Sequence, residues 1–189
     1  MKPDLSATYL REEEMYPEVA QWLRSFLSQR AHGAQLYVWD TPRKKLNQLI
    51  HRLPKSYRTL LPNHWVSWEV QVDVVGFAIS GKQVKIALVE CKLKSLTLTH
   101  LSQLIGYVSV VKPEWAFLLS PEGAHSGLRH LLIDYKREDV LAYTDLAGKR
   151  TRRILVAKWM RQSQGIDWHT AIPQGVDTLR HLPPAKRER

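Results

Sequence analysis

Apolar residues recur at helical spacing in the N-terminal part of the chain. From residue 6 to residue 30 they fall on one side of a helix, which predicts a long amphipathic helix. Gly33 follows this pattern at the place where a helix stop is expected. Pro17 lacks a backbone N–H and disfavours helical backbone in the residue before it. We therefore expect a break or bend near Tyr16.

Strand-like patterns dominate the middle of the chain. Gly81 marks a turn between two long stretches rich in β-branched residues, so these stretches are predicted to form a hairpin. The segment before them is basic and contains several prolines, which is typical of an insertion. The predicted elements are a strand at 35–39, an insertion with one or two short helices at about 41–63, and hairpin strands at 65–79 and 84–93.

Side-chain alternation along the hairpin groups its polar residues. In the first strand Glu69, Gln71 and Asp73 share one face, because every second side chain points the same way, and valines occupy the other face. In the second strand Glu90 and Lys92 share a face for the same reason. An acid and a base are therefore expected to emerge together at the end of a strand.

The order of the elements predicts the fold class. Helical and strand-like patterns alternate, which indicates an α/β fold with a mixed β-sheet flanked by helices. A chain of 189 residues favours one domain, which we place at residues 1–164, followed by an irregular tail at residues 165–189. The remaining predicted elements are a helix at 99–111, a strand at 115–119, a helix at 126–135, and a hairpin of 140–144 with 153–159 around Gly148.

Charge and cysteine content narrow the classes of partner and cofactor. The formal net charge of +10 favours a polyanion, because phosphates are attracted at long range, but charge alone leaves DNA, RNA and an anionic membrane open. No apolar run reaches the length of a membrane span, and the N-terminus lacks the apolar core of a signal peptide. We therefore expect a cytoplasmic protein with no membrane partner. Cys91 is the only cysteine, which excludes an internal disulfide and a cysteine-rich zinc or iron–sulfur site.

Two basic runs are candidates for contact with a phosphate backbone. The alternative for the second run is a solvated hairpin tip. The candidate residues are Arg43, Lys44 and Lys45 in the first run and Lys149, Arg150, Arg152 and Arg153 in the second.

Asp73, Glu90 and Lys92 form the group with the most definite chemistry. Two carboxylates offer hard oxygen ligands for Mg²⁺, which also keeps water and takes phosphate oxygens. A neighbouring lysine can orient an attacking water and offset the charge of the transition state. Hydrolysis of a phosphodiester needs these parts, so the group predicts that activity.

The stretches 70–77 and 86–92 together resemble the core of the PD-(D/E)XK nucleases. Asp73 matches the first acid of that motif, and Glu90-Cys91-Lys92 matches the (D/E)-X-K step. The resemblance implies a restriction-endonuclease-like core in which Asp73 and Glu90 bind Mg²⁺ or Mn²⁺ and Lys92 positions the water. It also implies that the backbone carbonyl of Cys91 adds a metal ligand and that its side chain faces the core.

A second motif is similar to the RecB-like branch of this family. Gln103-Leu104-Ile105-Gly106-Tyr107 resembles its Q-x-x-x-Y helix, and the two polar residues, four apart, share one helical face. The resemblance implies that Gln103 holds the acidic motif in place and that Tyr107 lines the nucleic-acid side, where Lys94 is also expected.

The family usually places a further acid on its first helix. Glu12 is the first choice here, because it fits an opening found in uncharacterised members. Its spacing of three, four and seven residues to Met15, Tyr16 and Val19 agrees with the buried stripe. Glu18 is the second choice.

Taken together, these features predict a metal-dependent endo- or exodeoxyribonuclease, a hydrolase that cuts DNA. One alternative is a catalytically weak or inactive module that binds nucleic acid or a partner on the same fold. Another is a structural protein that self-associates through its tryptophans. The family acts on single-stranded, duplex and branched DNA and on RNA, and many members are dimers. The resemblance therefore leaves the form of the substrate, RNA included, and a homodimer open.

Overall fold

The computed structural model describes residues 9–41 and 43–174. The helices are α1 (Tyr16–Arg30), α2 (Leu46–Ile50), α3 (Lys55–Arg58), α4 (Leu98–Val111) and α5 (Ser126–Arg129). The strands are β1 (Gln35–Asp40), β2 (Val74–Ser80), β3 (Gln83–Cys91), β4 (Trp115–Ser120), β5 (Ala142–Thr144), β6 (Thr151–Met160) and β7 (Gly165–Ile172). Short 3₁₀ turns occur at Glu12–Glu14, Asn63–Ser67 and Glu138–Leu141, and a π-helical turn at His130–Asp134. None of the helices in these residues is long and apolar enough to cross a membrane.

The strands form one mixed, open, seven-stranded sheet flanked by helices, which confirms the predicted α/β class. The strand order is β1-β2-β3-β4-β6-β5, and β7 also pairs with β6. Strands β1, β2 and β3 are antiparallel neighbours, whereas β4 runs parallel to β3 and β6 runs parallel to β4. The parallel strands β3, β4 and β6 therefore all end at the same edge of the sheet.

Helix α1 covers one face of the sheet. Its buried side chains Leu23 and Leu27 belong to a core cluster that also contains Val89 and Phe117. Strand β2 packs against this helix at Gly76, where an added Cβ would lie 2.7 Å from Leu27 Cδ1. A larger residue at this position would force the side chains of Leu23 and Leu27 to shift, so glycine favours the close packing of α1 on the sheet.

Helices α2 and α4 cover the other face. Helix α2 buries Leu46 and Ile50 in a cluster that includes Leu88 of β3, and α4 buries Leu104 in a neighbouring cluster. Because side chains alternate along a strand, Glu90 lies on the same side of β3 as Leu88 and emerges beyond the end of this apolar row.

The N-terminal helix is shorter than the periodicity predicts. Helix α1 begins at Tyr16, so the expected break is confirmed, but residues 9–15 are not α-helical and residues 6–8 lie outside the described part of the chain. Pro17 stands in the first helical turn, where its missing N–H removes no helical hydrogen bond. The chain before it folds as the 3₁₀ turn Glu12–Glu14 instead.

The first hairpin strand is also shorter than predicted. Strand β2 covers Val74–Ser80, so the expectation of a strand from residue 65 is wrong for residues 65–73. That segment lies against the start of α2: Leu46 N donates to Val70 O at 2.8 Å, and Asn47 N donates to Trp68 O at 3.0 Å. The predicted alternation nevertheless holds, since Val72 is buried and Gln71 is exposed.

The C-terminal region contains a strand that the sequence did not predict. Gly165–Ile172 forms β7 and pairs antiparallel with β6, so the expected irregular tail is wrong for these residues and the sheet continues past residue 164. The rest of the expected tail, residues 175–189, lies outside the described residues. The insertion, for which one or two short helices were expected, contains α2 and α3, and the predicted hairpin around Gly148 is confirmed as β5 paired with β6.

Candidate active site

The predicted acidic and basic residues meet where β3 ends. Val74 of β2 is paired with Val89 of β3, and Asp73 N donates to Val89 O at 3.2 Å, which brings Asp73 level with Glu90. Lys92 follows two residues later on the same side. The group thus lies at the edge where the parallel strands end, which is where open α/β sheets commonly bind ligands.

Glu90 is the buried centre of this group. Its side chain is only 2% exposed. Its Oε1 accepts hydrogen bonds from Lys92 Nζ at 2.8 Å and from Gln103 Nε2 at 2.9 Å. Its Oε2 is buried and has no hydrogen-bond partner among the described residues. One oxygen of the carboxylate is therefore fixed by the protein, and the other is left for a ligand.

Asp73 is held from two sides. Cys91 N donates to Asp73 Oδ2 at 2.7 Å, so the residue between the two halves of the (D/E)-X-K step orients the first acid. On the other side, Thr41 N donates to the backbone carbonyl of Asp73 at 2.8 Å. The side chain of Cys91 is fully buried, which confirms the expectation that it faces the core.

Glu12 joins the group from the 3₁₀ turn that precedes α1. Its Oε1 lies 3.4 Å from Lys92 Nζ and accepts a hydrogen bond from Tyr16 Oη at 3.1 Å. Its Oε2 accepts from Leu93 N at 3.3 Å. Glu18, the alternative, instead contacts Tyr9 and Arg161. The structure therefore brings Glu12, and not Glu18, to Lys92.

Burial and mutual repulsion shift the pKa values of the carboxyls upward. Burial, followed by the nearby charge of Asp73, raises the pKa of Glu90 to about 7. Burial likewise raises the pKa of Asp73. Burial alone would lower the pKa of Lys92, but the carboxylate of Glu90 outweighs it and the net pKa is raised. Three carboxyls thus surround one ammonium group, and the site has a deficit of positive charge.

The polar group opens into a cleft of about 230 Å³. Two residues that the sequence did not single out help to build it. Tyr16 stands four residues after Glu12, and this spacing is the signal in the sequence that links the two. Thr41 N donates to Asp73 O at 2.8 Å and its hydroxyl donates to Val72 O, but no sequence motif indicates this long-range contact. The cleft is lined by Glu13, Tyr16, Thr41, Arg43, Gln71, Val72, Asp73, Glu90, Lys92, Gln103 and Tyr107.

Helix α4 supplies one wall of this cleft. Gln103 Nε2 donates to Tyr107 Oη at 2.9 Å as well as to Glu90, so the helical face predicted for these two residues is confirmed. Thr97 caps the helix and the chain reaches it directly from the end of β3, which places Gln103 over Glu90. The amide thus restrains the rotation of the buried carboxylate.

The basic candidates occupy different places. Arg43 lines the cleft. Lys45 Nζ lies 2.7 Å from Glu69 Oε2, and exposed Lys94 lies 3.6 Å from Glu122 Oε1. Lys44 is exposed and forms no ion pair with the residues that the structure describes.

The second basic run lies at the opposite edge of the sheet. It belongs to the β5–β6 turn and the start of β6, whereas the acidic group lies where the strands parallel to β6 end. Arg152 also forms an ion pair with Glu114, so its guanidinium is less available to bind phosphate. The structure therefore does not bring the run Lys149, Arg150, Arg152 and Arg153 to the cleft.

The donors at the cleft fit a magnesium ion. No group of three or more His, Cys, Asp or Glu side chains within residues 9–41 and 43–174 is placed to hold a metal on its own. Mg²⁺ does not need such a cage, because it binds through one or two carboxylates and takes its other ligands from water and phosphate. Asp73 and the open Oε2 of Glu90 provide two carboxylates of this kind. The carbonyl ligand expected from Cys91 stays a prediction.

Comparisons with protein-family models, with curated proteins and with solved structures found no match to this chain.

Proposed function

We propose that this cleft is the active site of a metal-dependent nuclease that hydrolyses DNA, on a restriction-endonuclease-like core of the PD-(D/E)XK kind. The observation that carries the proposal is the surplus of carboxylate over positive charge: buried Glu90 and the partly exposed Asp73 and Glu12 lie around the ammonium of Lys92. Several carboxylates held close together without enough positive charge destabilise the folded protein unless they bind a cation. The Q-x-x-x-Y contact of Gln103 with Glu90 supports the RecB-like branch.

Each residue has a distinct part in the proposed reaction. Asp73 and Glu90 would hold the metal, which would supply charge neutralisation at the phosphate and a more acidic water. Lys92, 18% exposed at the cleft, is placed to orient an attacking water and to donate to the charge that develops on the phosphate. Gln103 holds Glu90 through Oε1, which leaves Oε2 without a partner among the described residues and able to bind the metal.

The decisive test is cleavage of a panel of labelled DNA and RNA structures in Mn²⁺ or Mg²⁺. Asp73→Ala and Lys92→Ala are expected to abolish cleavage. Asp134→Ala, which removes an exposed carboxylate distant in sequence from the cleft residues, serves as the control and is expected to cleave like the wild type. Cleavage that persists in Asp73→Ala would remove this site from consideration.

A binding module without catalysis is the second candidate. The observation that favours it is that Lys92 already pairs with Glu90 and Glu12, while no three acidic or metal-ligating side chains form a complete cage among the described residues. Calorimetry separates the two functions. A nuclease is expected to bind Mn²⁺ in the wild type and lose that binding in Asp73→Ala, whereas a pure binder is expected to show no difference between the two proteins.

A further inference from the structure

A basic wing flanks the cleft. We use this name for residues 43–68, which contain α2 and α3 and lie between β1 and the segment that leads to Asp73. The wing contains no Asp or Glu, but it contains six cationic residues: Arg43, Lys44, Lys45, Arg52, Lys55 and Arg58. A segment with only one sign of charge favours a ligand of the opposite sign.

Half of these cations are already engaged within the protein. Arg43 is not one of them: it is exposed, lines the cleft and forms no hydrogen bond or ion pair with the residues that the structure describes. The engaged cations are Lys45 with Glu69 at 2.7 Å, Arg52 over the Trp39 ring at 4.9 Å, and Arg58 with His51 at 3.2 Å.

The backbone fixes Arg43 beside the acidic group. Its φ is +67°, a left-handed conformation that is unfavourable for a long side chain. The turn that requires it is closed by Lys44 N donating to Thr41 O at 3.1 Å. Thr41 N in turn donates to the backbone of Asp73. Arg43 is thus two residues away from a direct backbone contact with a proposed metal ligand, so its place in the cleft is set by the fold.

The two cations of the cleft therefore differ in what they can bind. The ammonium of Lys92 is neutralised by Glu90 and Glu12, whereas the guanidinium of Arg43 has no anion among the described residues. A guanidinium binds phosphate through two parallel hydrogen bonds. We propose that Arg43 binds a phosphate next to the one that is cut, so that the substrate is a polynucleotide strand and not an isolated phosphodiester. The proposal rests on the nuclease function proposed above.

The test asks whether the side chain of Arg43 contacts one particular phosphate of the substrate. A neutral methylphosphonate is placed at each linkage in turn of a DNA oligonucleotide with a single cut site, and kcat/KM is measured for the wild type and for Arg43→Asn. Asparagine is chosen because it tolerates a left-handed backbone. In the wild type, the modification at one linkage beside the cut is expected to lower kcat/KM about 10- to 100-fold, the range of a charge-assisted hydrogen bond. Arg43→Asn is expected to show that loss on unmodified DNA and no further loss at that linkage.

The matched control is Lys55→Gln, which removes an exposed cation of the wing that does not line the cleft. This variant is expected to keep the methylphosphonate effect of the wild type. Arg43→Lys, which retains the charge and loses the two-pronged geometry, is expected to fall between the wild type and Arg43→Asn.

A substrate with a single phosphate distinguishes failure of this inference from failure of the nuclease function. Bis(p-nitrophenyl) phosphate, which has no neighbouring phosphate, is expected to be cleaved equally by the wild type and Lys55→Gln, and Arg43→Asn is expected to lose less activity on it than on DNA. If the wild type cleaves DNA but no linkage couples to Arg43, the inference is overturned and the nuclease function stands. If the wild type cleaves nothing, the nuclease function fails, and the contact is tested by measuring the Kd for each modified oligonucleotide by fluorescence anisotropy. A single linkage whose effect on Kd disappears in Arg43→Asn supports the contact. If no linkage behaves in this way, the inference is overturned.

Discussion

The two ends of the parallel strands each contain an ion pair that is largely shielded from solvent, but their charge balance differs. At the cleft, Lys92 pairs with Glu90 while Asp73 and Glu12 add two further carboxyls. At the opposite edge, Arg152 of β6 pairs with Glu114, which directly precedes β4. No second carboxylate pairs with Arg152 in the part of the chain that the structure describes.

Unpartnered buried atoms do not distinguish these edges. Glu90 Oε2 lacks a partner at the cleft, but so do Arg152 Nε and Tyr143 Oη at the other edge. The surplus of carboxylate is what separates them. A balanced pair such as Arg152 with Glu114 holds two strands together, whereas an acidic surplus creates a place for a cation.

Replacing a glutamate by glutamine at each of these two places tests the comparison, and the largest effect is expected at the cleft. Glu90→Gln is expected to lower the cleavage rate by a factor of about 10² to 10³, because it removes a ligand charge and the anion that pairs with Lys92. Its melting temperature without metal is expected to stay equal or rise, since a desolvated charge has been removed. Cleavage assays and calorimetry measure the two effects. A large drop in melting temperature would make Glu90 a structural residue and contradict the comparison.

Glu114→Gln is expected to give the reverse result. It leaves the guanidinium of Arg152, whose side chain is 23% exposed, without its counter-charge, which costs about 1 to 2 kcal/mol in the free energy of unfolding, between the values for exposed and buried pairs. The melting temperature is expected to fall by roughly 5 °C, while cleavage by the folded protein is unchanged.

Asp139→Asn is the control for this substitution, because it breaks a pair with Arg137 that is exposed on both sides. It is expected to leave the melting temperature unchanged. Equal effects of Glu114→Gln and Asp139→Asn would show that the far edge does not depend on its ion pair.

The smallest effect is the dependence of stability on pH. The pKa of Glu90 is raised from 4.5 to about 7 in the folded protein, so folding takes up a proton between these values. This contribution is complete below pH 4.5 and is lost as the pH rises through 7. Between pH 6 and pH 8 in EDTA, the wild type is expected to lose about 1 kcal/mol more stability than Glu90→Gln. Parallel pH profiles of the two proteins would show that Glu90 titrates normally.

The arrangement of several cleft residues could be predicted from the sequence because it depends on short spacings. Glu90 and Lys92 are neighbours on one strand, and Gln103 and Tyr107 are neighbours on one helix, so local geometry alone predicts each pair. Asp73 required the hairpin register, which the turn at Gly81 fixes. The contribution of Thr41 depends on a contact with the backbone of Asp73 across 32 residues, and no local pattern reports it.

The errors in the fold have a common origin. Alternation of apolar and polar residues reports that a segment is half buried, but it does not show what the segment pairs with. Residues 68–73 alternate like a strand, yet the carbonyls of Trp68 and Val70 accept from the start of α2 and not from another strand. Conversely, β7 pairs with β6 across a register shift near Val156, and its buried residues Ile166 and Ala171 are too far apart to reveal a strand.

The single cysteine gives the proposed catalytic strand a natural reporter. Cys91 is fully buried between Glu90 and Lys92, and burial raises the pKa of its thiol, so a thiol reagent can reach it only when β3 opens. The rate of labelling therefore measures how often the catalytic strand detaches, with no engineered probe and no competing thiol in the chain. If a divalent cation or an oligonucleotide slows the labelling of Cys91, the decrease in rate reports how strongly that ligand stabilises the closed strand.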